Sequence, residues 1–304
     1  MQKIKAAITL IRLPNLAFIF LTQIVAWFAL IVPYLKSDHV SIILSNGYIY
    51  WLAFSTVFIA AAGYMINDYF DIGIDSINKP ERVTIEKIFK RRSIIIWHIV
   101  LNLLALCMAG YLCAHFLLFR YLIFQLISIF LLVVYSTTFK RKLIIGNLII
   151  SLLTSLTLIS LAMYELHYPL YNFSDRSIQL YWLYILFAFL ITASREVIKD
   201  IEDIKGDGIQ QCKTIPLVWG INTAKYIVYG LIIILLLLLI IASILFMSTE
   251  MMLVCSWILF LFVPLIFILY KIHHATNAIH FHQISFYIKI ITLAGILSML
   301  INLF

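Results

Sequence analysis

The chain consists largely of long apolar runs that are separated by short polar segments. Nine of these runs approach the length of about 20 residues that an α-helix needs to cross a bilayer. They lie near residues 14–33, 48–66, 93–114, 117–137, 144–163, 179–195, 223–246, 252–270 and 284–303. Only HFLLFR separates the third run from the fourth, so a count of eight crossings stays open. The pattern predicts an all-α polytopic membrane protein, a bundle of about nine transmembrane helices.

The composition supports this prediction. Of the 304 residues, 64% are hydrophobic and 12% are charged, which is more apolar surface than one water-soluble core can bury. No Pro-rich or Ser-rich linker divides the chain, so we expect residues 1–304 to form a single domain. The start, MQKIKAAITLIRLPN, lacks a small-residue cleavage site, and we expect the first apolar run to be a retained helix.

Lysine and arginine are distributed unequally between the loops, and this asymmetry sets the orientation of a membrane protein. If the N-terminus is cytoplasmic, most basic residues fall on the cytoplasmic side, and the opposite side holds Lys36, Arg120 and Arg176. We therefore expect a multi-pass protein of the cell (inner) membrane, with its N-terminus and its polar loops in the cytoplasm. The net charge of +8 also suits anionic membrane lipid or a phosphorylated substrate. No soluble basic domain is present in the sequence, so nucleic acid is not an expected partner.

Two polar segments share the acidic spacing D-x-x-D-x-x-x-D. The first, NDYFDIGID, follows the second apolar run, and the other, DIEDIKGD, follows the sixth. Six of the 14 acidic residues stand in these segments: Asp68, Asp71, Asp75, Asp200, Asp203 and Asp207. On a helix the offsets i, i+3 and i+7 fall on one face, so each segment is predicted to present three carboxylates in a row.

Crowded carboxylates need a counter-charge, and their oxygen atoms are the ligands that Mg²⁺ prefers. The second and sixth runs cross the membrane in the same direction, so the two triplets can face each other across the bundle. This arrangement predicts a central cavity that opens to the cytoplasm, with Mg²⁺ bound between the triplets at its mouth. A solvated helix end with capping carboxylates would explain one triplet, but it does not explain a matched pair.

Several polar side chains near the triplets are candidates for binding a diphosphate that bridges Mg²⁺ ions. They are Arg12 and Asn15 at the first run, Asn67 and Arg82 beside the first triplet, Tyr135 and Lys140 after the fourth run, and Arg195 and Lys199 before the second triplet. Positive-inside anchoring and helix capping are the alternative interpretation of the basic members. Glu196, Lys199 and Glu202 have the spacing of an exposed ion-pair ladder, and we expect Glu202 to be a permissive position.

With these motifs, the chain resembles the UbiA superfamily of intramembrane prenyltransferases. That family is similar in its number of transmembrane helices and in having an N-D-x-x-D-x-x-x-D motif after the second helix, which residues 67–75 match here. Its second acidic motif follows the sixth helix and is matched by residues 200–207. Tyr135 and Lys140 resemble its Tyr-to-Lys element, with one additional residue between them. The resemblance spans the whole chain.

The resemblance implies Mg²⁺-dependent transfer of a prenyl group from a polyprenyl diphosphate to a lipophilic acceptor, with release of diphosphate. The catalytic residues that it implies are Asp71, Asp75, Asp203, Asp207 and Lys140. The motifs are most similar to those of archaeal-type enzymes that attach a second geranylgeranyl chain to geranylgeranylglyceryl phosphate. The alternative is prenylation of an aromatic acid of quinone synthesis, of the 4-hydroxybenzoate or dihydroxynaphthoate type.

Two other classes of membrane protein compete with this hypothesis. Secondary transporters place their carboxylates near the bilayer midplane in broken helices, whereas both triplets follow the ends of apolar runs. A non-catalytic lipid-binding scaffold would not require two intact acidic triplets. An allylic diphosphate, by contrast, has an apolar tail and a polyanionic head. It requires an apolar tunnel with a cationic mouth, and this sequence supplies both.

Overall fold

The computed structural model describes residues 2–37, 41–45, 47–78, 83–119, 122–165 and 176–303. Within these ranges the apolar runs form helices, as predicted. The α-helices are α1 (Gln2–Leu10), α2 (Leu13–Ala26), α3 (Val32–Ser37), α4 (Tyr48–Asn78), α5 (Arg91–Phe116), α6 (Leu122–Thr137), α7 (Ile145–Glu165), α8 (Arg176–Glu202), α9 (Ile204–Ile209), α10 (Ile215–Val218), α11 (Ile221–Phe246), α12 (Met251–Trp257), α13 (Val263–His274) and α14 (Ala278–Ser298). Turns of 3₁₀-helix lie at Phe139–Arg141 and Met299–Leu303.

Eight helical segments in the described part of the chain are long and apolar enough to cross a membrane. They are Leu13–Lys36, Tyr48–Asn78, Arg91–Phe116, Ile145–Glu165, Arg176–Glu202, Ile221–Phe246, Met251–His274 and Ala278–Leu303. The fourth predicted run, 117–137, is the one without a crossing helix, since it contains α6, which is apolar but has only 16 residues. The chain leaves the helical conformation at Leu117, whose φ of 57° ends α5, and α6 begins at Leu122.

Two of the crossings contain a π-helical turn that is followed by a proline. The turn Trp27–Ile31 joins α2 to α3 and precedes Pro33, and the turn Ile258–Phe262 joins α12 to α13 and precedes Pro264. Proline has no amide hydrogen, and its ring clashes with the carbonyl group one turn earlier. The wider π-helical turn removes this conflict, so each crossing continues as one helical segment past its proline.

α4 and α8 are the central helices of the bundle. α4 packs against α2, α5 and α6, while α8 packs against α7, α11 and α14. Both helices continue past the apolar runs that predict them, with 31 and 27 residues respectively. Ile74 and Ile201 remain buried in these extensions, and this burial holds the polar turns against the rest of the protein. We call this region, residues 67–75 of α4 and 195–207 of α8 and α9, the acidic end of the bundle.

A buried carboxylate, Glu165, lies at the last residue of α7, remote from the acidic end. Its Oε1 atom accepts hydrogen bonds from Trp27 Nε1 at 2.6 Å and from the Leu44 amide at 2.9 Å, and Oε2 accepts from the Ile43 amide at 2.9 Å. The residue has no exposed surface. Since a buried charge is tolerated only when donors surround it, Glu165 fixes residues 41–45 against α7 and the first π-helical turn.

Candidate active site

The first acidic motif lies in the last three turns of α4. Asp71 is almost fully buried, and its Oδ2 atom accepts a 2.5 Å hydrogen bond from Asn67 Nδ2. The same oxygen pairs with the Lys140 ammonium group. Burial alone would lower the pKa of Lys140, but the Asp71 carboxylate raises it above the ordinary lysine value. Lys140 is therefore positively charged at the acidic end.

Lys140 reaches Asp71 from the 3₁₀ turn between α6 and α7. This turn packs closely on the start of α7, because a Cβ atom at Gly146 would lie 3.1 Å from the Phe139 carbonyl oxygen and 3.2 Å from Lys140 Cα. The Lys213 amide donates to the Arg141 carbonyl at 3.0 Å and so joins the turn to the loop after α9.

Asp68 is held from the N-terminal link between α1 and α2. Arg12 Nη2 lies 2.7 Å from Asp68 Oδ1, and the guanidinium group lies 5.0 Å from the centre of the Tyr64 ring. Burial alone would lower the pKa of Arg12, but Asp68 raises it. Arg12 has a φ of 52°, a conformation that costs energy for a non-glycine residue and that often accompanies a functional contact. Asp75 lines a small hollow together with Asp68.

The second acidic motif is not carried by one continuous helix, and the prediction that it simply continues the preceding helix is wrong. α8 ends at Glu202, and Asp203 lies in the link before α9, with φ −93° and ψ 8°. The cause is Asn78 at the end of α4. Its Oδ1 atom accepts from the Gly206 amide at 2.9 Å, which in a continuous helix would donate to the Glu202 carbonyl. Its Nδ2 atom donates to the Asp203 carbonyl at 2.9 Å.

The two motifs meet around the end of α6. Tyr135 lies within electrostatic range of both Asp71 and Asp200. Asp200 Oδ2 accepts a 2.8 Å hydrogen bond from Asn147 Nδ2 at the start of α7, and Asp207 is buried in α9. Four chain segments that are distant in sequence thus bring their polar side chains to one place.

Glu196 pairs with two of the predicted substrate-binding residues. Lys199 Nζ lies 2.9 Å from Glu196 Oε1, as the ladder spacing predicts, and Arg195 Nη1 lies 3.4 Å from the same oxygen. Glu202, by contrast, is not the exposed position that we expected. Its side chain is only 10% exposed and pairs with His282 Nδ1 at 3.0 Å, because the start of α14 lies against the end of α8.

The remaining candidates have different outcomes. Asn15 lies in the first turn of α2 and accepts a 2.6 Å hydrogen bond from Lys289 Nζ. Arg82 lies outside the described residues. Asn78 and Lys289 were not selected from the sequence as site residues. Their signals were present, since Asn78 stands just before a Lys-Pro pair and Lys289 is a lone cation inside an apolar run.

The side-chain atoms at the acidic end that could bind a metal ion are almost all oxygens. Within the described ranges, no three His, Cys, Asp or Glu side chains converge on a single point. The carboxylates instead pair with other side chains of the protein: Asp71 with Lys140, Asp68 with Arg12 and Asp200 with Asn147. Asn67 Oδ1 is buried without a hydrogen-bond partner among the described residues. Carboxylate and amide oxygens of this kind are the donor set that suits Mg²⁺.

An apolar cavity of about 230 Å³ leads away from the acidic end, between α2, α4, α6, α7, α8 and α14. Tyr64, one helical turn before Asp68, is the cavity-lining residue of α4 nearest to the first acidic motif. Its Thr and Ser hydroxyls bond to carbonyl groups of their own helices, for example Thr154 to Ile150 and Thr292 to Ile288. The hydroxyl groups are thereby satisfied, and the wall is suited to a hydrocarbon chain.

Two glycines pack against residues of this wall, Gly63 from behind it and Gly295 as part of the lining. A Cβ atom at Gly63 would lie 2.8 Å from both terminal methyl groups of Leu132, and a Cβ atom at Gly295 would lie 2.9 Å from the Phe187 ring. Leu132 and Phe187 both line the cavity. The absence of a side chain at each glycine therefore sets the position of a wall residue.

Two relatives of the chain carry the same name. The digeranylgeranylglyceryl phosphate synthase of Thermococcus sibiricus is 35% identical over 178 residues, which cover 58% of this chain and 58% of that protein. The protein of the same name from Hyperthermus butylicus is 30% identical over 224 residues, covering 74% of this chain and 70% of that protein. The chain therefore aligns with less than two thirds of the first of these relatives.

Solved structures share the fold over almost the full length. A structure from work on digeranylgeranylglyceryl phosphate synthase in membranes is 24% identical, with a TM-score of 0.63 and 99% of both chains covered. A UbiA homologue from Archaeoglobus fulgidus bound to GPP and Mg²⁺ is 16% identical, with a TM-score of 0.63 and coverage of 97% and 99%. Residues 25–290 match the UbiA prenyltransferase family. The chain therefore belongs to the UbiA prenyltransferase family, as an integral, multi-pass membrane protein.

Proposed function

We propose that this protein transfers a geranylgeranyl group from its diphosphate to the hydroxyl group of geranylgeranylglyceryl phosphate, with release of diphosphate and with Mg²⁺ as cofactor. One observation carries the proposal: two acidic motifs meet at the mouth of an apolar cavity that is lined for a hydrocarbon chain. The names of the relatives from Thermococcus sibiricus and Hyperthermus butylicus support the choice of acceptor.

The carboxylates of both motifs are the proposed metal ligands, with the buried Asn67 Oδ1 atom as a further oxygen donor. The full carboxylate set is Asp68, Asp71, Asp75, Asp200, Asp203 and Asp207. Bound Mg²⁺ supplies positive charge that stabilises the pyrophosphate leaving group. The bound GPP and Mg²⁺ of the Archaeoglobus fulgidus homologue support this assignment.

The cationic side chains act on the diphosphate in this proposal. Lys140 and Lys199 bind its outer oxygens, and Arg82 is a third candidate on the basis of its sequence position. Asp71 orients Lys140 through their ion pair, and Asn67 orients Asp71 through its hydrogen bond. Tyr135 lies beside this pair and closes the site against water.

The proposed reaction joins the two substrates at this site. The allylic C–O bond breaks as charge develops on the pyrophosphate, which Lys140 helps to stabilise. The glyceryl hydroxyl oxygen forms the new bond to the allylic carbon, and its proton passes to the released pyrophosphate. The apolar wall around Tyr64 excludes water that would otherwise capture the allylic cation.

The orientation and domain boundaries are part of the proposal. We propose that the N-terminus and the acidic end face the cytoplasm, so that the cavity opens to the side where soluble diphosphates are supplied. The positive-inside distribution of Lys and Arg supports this orientation. We also propose that residues 1–304 form one domain, in line with the family match over residues 25–290.

The experiment is a prenyl-transfer assay with the purified protein, Mg²⁺ and geranylgeranyl diphosphate, followed by mass spectrometry of the lipids. Geranylgeranylglyceryl phosphate, 4-hydroxybenzoate and a dihydroxynaphthoate are offered separately. We expect an ether-linked product with the glyceryl phosphate and little or no transfer to the aromatic acids. Efficient prenylation of an aromatic acid, with the glyceryl phosphate unreacted, would reject the acceptor and leave the family assignment intact.

A further inference from the structure

The last membrane crossing carries a lone lysine on the face that borders the cavity. Lys289 precedes Thr292 and Ile296 by three and seven residues, and both of these line the cavity wall. Offsets of three and seven place all three residues on one side of α14. A cation within a membrane-spanning helix is costly and is retained where it binds a substrate or a partner.

Lys289 has neutral neighbours and a cationic one. Its Nζ atom donates to Asn15 Oδ1 at 2.6 Å and lies 5.1 Å from the centre of the Phe18 ring. Arg195 of α8 lies within electrostatic range and repels it. Within the described ranges, no carboxylate pairs with Lys289. The lysine therefore carries a charge that the described protein does not neutralise.

Arg195 is also incompletely satisfied. Its guanidinium group shares the single carboxylate of Glu196 with Lys199, and its Nε atom is buried without a hydrogen-bond partner among the described residues. Glu196 lies closer to Lys199, at 2.9 Å, than to Arg195, at 3.4 Å, so Lys199 is its main partner. Arg195 and Lys289 are then two cations that no carboxylate of the described residues fully neutralises. An excess of two positive charges matches a phosphate monoester, which carries a charge of about −1.5 to −2 near neutral pH.

This group of cations is distinct from the one proposed for the donor diphosphate. Lys140 reaches Asp71 from the link between α6 and α7, whereas Lys289 and Arg195 belong to α14 and α8. Asn15 lies within hydrogen-bonding reach of Tyr64, which lines the mouth of the cavity. An anion at Lys289 would therefore lie beside the apolar entrance, on the α2, α8 and α14 side.

We propose that Lys289 and Arg195 bind the phosphate group of the acceptor, with Asn15 holding the Lys289 side chain in position. This inference rests on the proposed function, since it assigns the residues that recognise a phosphorylated acceptor. Binding there places the glyceryl part of the acceptor at the mouth of the cavity, between the phosphate and the donor. The lysine is thus a specificity-determining residue that favours a dianionic acceptor over a neutral alcohol.

The experiment compares two acceptors, geranylgeranylglyceryl phosphate and geranylgeranylglycerol, in wild-type protein, Lys289→Gln and Lys289→Arg. We expect Lys289→Gln to raise KM for the phosphorylated acceptor about 10- to 100-fold, as befits one lost charge-assisted hydrogen bond. KM for geranylgeranyl diphosphate should remain unchanged, and the preference for the phosphorylated acceptor over the alcohol should fall by the same factor. Lys289→Arg should restore most of that preference.

Lys271→Gln is the matched control, since Lys271 also lies over a phenylalanine ring, at 5.3 Å from Phe267, but belongs to α13, which contributes no residue to the cavity lining. An unchanged KM for the donor in each variant shows that the protein is folded. If Lys289→Gln leaves the KM for the phosphorylated acceptor unchanged, or raises both acceptor KM values equally, the inference is overturned while the proposed function stands. If the wild-type protein prenylates neither glyceryl acceptor, both fall together.

Discussion

The ion pair between Asp71 and Lys140 allows a sharp test, because it ties the proposed chemistry to the stability of the bundle. Removing one partner of a fully buried ion pair costs about 3–5 kcal/mol. The Lys140 side chain is 26% exposed and that of Asp71 is 4% exposed, so water offsets part of the loss and we expect about 2–3 kcal/mol for Asp71→Asn. For a chain of this size, the loss corresponds to a fall in Tm of about 4–6 °C.

The pair should also show energetic coupling. Lys140→Met leaves Asp71 with only the Asn67 hydrogen bond, whereas the double variant, Asp71→Asn with Lys140→Met, removes both charges together. We therefore expect the double variant to be more stable than the sum of the single losses by about 1–2 kcal/mol. Prenyl transfer should stay impaired in the double variant, although part of its stability is recovered. It should fall at least about 100-fold in Asp71→Asn and in the double variant, equivalent to about 2.7 kcal/mol in the barrier.

Thermal unfolding in detergent and a transfer assay with geranylgeranyl diphosphate provide the two measurements. Lys142→Met is the control for loss of a nearby cation, because Lys142 is exposed and lies over the Phe139 ring at 5.0 Å. Strictly additive stability losses would refute the coupling. Recovery of transfer in the double variant would show that Asp71 acts through packing alone, and the assignment of this carboxylate to the reaction would be wrong.

Three further predictions concern the metal and two anchoring side chains. EDTA should abolish prenyl transfer and Mg²⁺ or Mn²⁺ should restore it, because the donors at the acidic end are oxygens. Asn78→Ala removes both hydrogen bonds between α4 and the second motif, so it should cost about 2 kcal/mol and speed proteolysis of residues 203–213. Glu165→Gln should lower stability by about 2–4 kcal/mol without changing either substrate KM, because it weakens an anchor that accepts three hydrogen bonds remote from the site.

Each of these predictions has its own control. Full activity in excess chelator would contradict the metal assignment. Asn78→Asp keeps the acceptor of the Gly206 hydrogen bond, so it should be less sensitive to protease than Asn78→Ala. Equal cleavage of the wild-type protein, Asn78→Asp and Asn78→Ala would show that Asn78 does not hold the second motif in place. Glu86→Gln is matched to Glu165→Gln, since the Glu86 side chain is 54% exposed and its surface pair with Arg91 should contribute little. Equal stability of the two Glu→Gln variants would contradict the anchor.

The sequence predicted the helices well because their signal is local. Every apolar run contains a helix, and the D-x-x-D-x-x-x-D spacing of the first motif lies on α4 as expected. The helix was not continuous at Asp203, because the interruption comes from Asn78, which lies 125 residues earlier. A hydrogen bond between such distant residues leaves no trace in the periodicity of either segment. The positive φ of Leu117, which ends α5, likewise leaves no sign in the apolar pattern of the sequence.

The site could be predicted as a list of residues but not as a set of pairs. Charge spacing along one helix correctly indicated the Glu196 and Lys199 contact. It could not show that Glu202 meets His282, since that contact depends on how α14 lies against α8. Lys289 was overlooked because a single lysine inside an apolar run resembles a helix that merely tolerates one polar residue. The role of Lys289 depends on the cavity beside it, and this cavity forms only when the helices pack together.

The close contact of Gly63 with Leu132, and of Gly295 with Phe187, has a consequence for the length of the prenyl donor. Neither glycine carries a side chain, yet a methyl group at either position would force a wall residue to move. The width of the cavity that is available to successive isoprene units then depends on two positions without side chains, one in the lining and one behind it. Alanine at Gly295 should shift the preference among C10, C15 and C20 diphosphates while Mg²⁺ dependence stays the same. Donor length in this fold can thus change without any substitution among the residues that carry the chemistry.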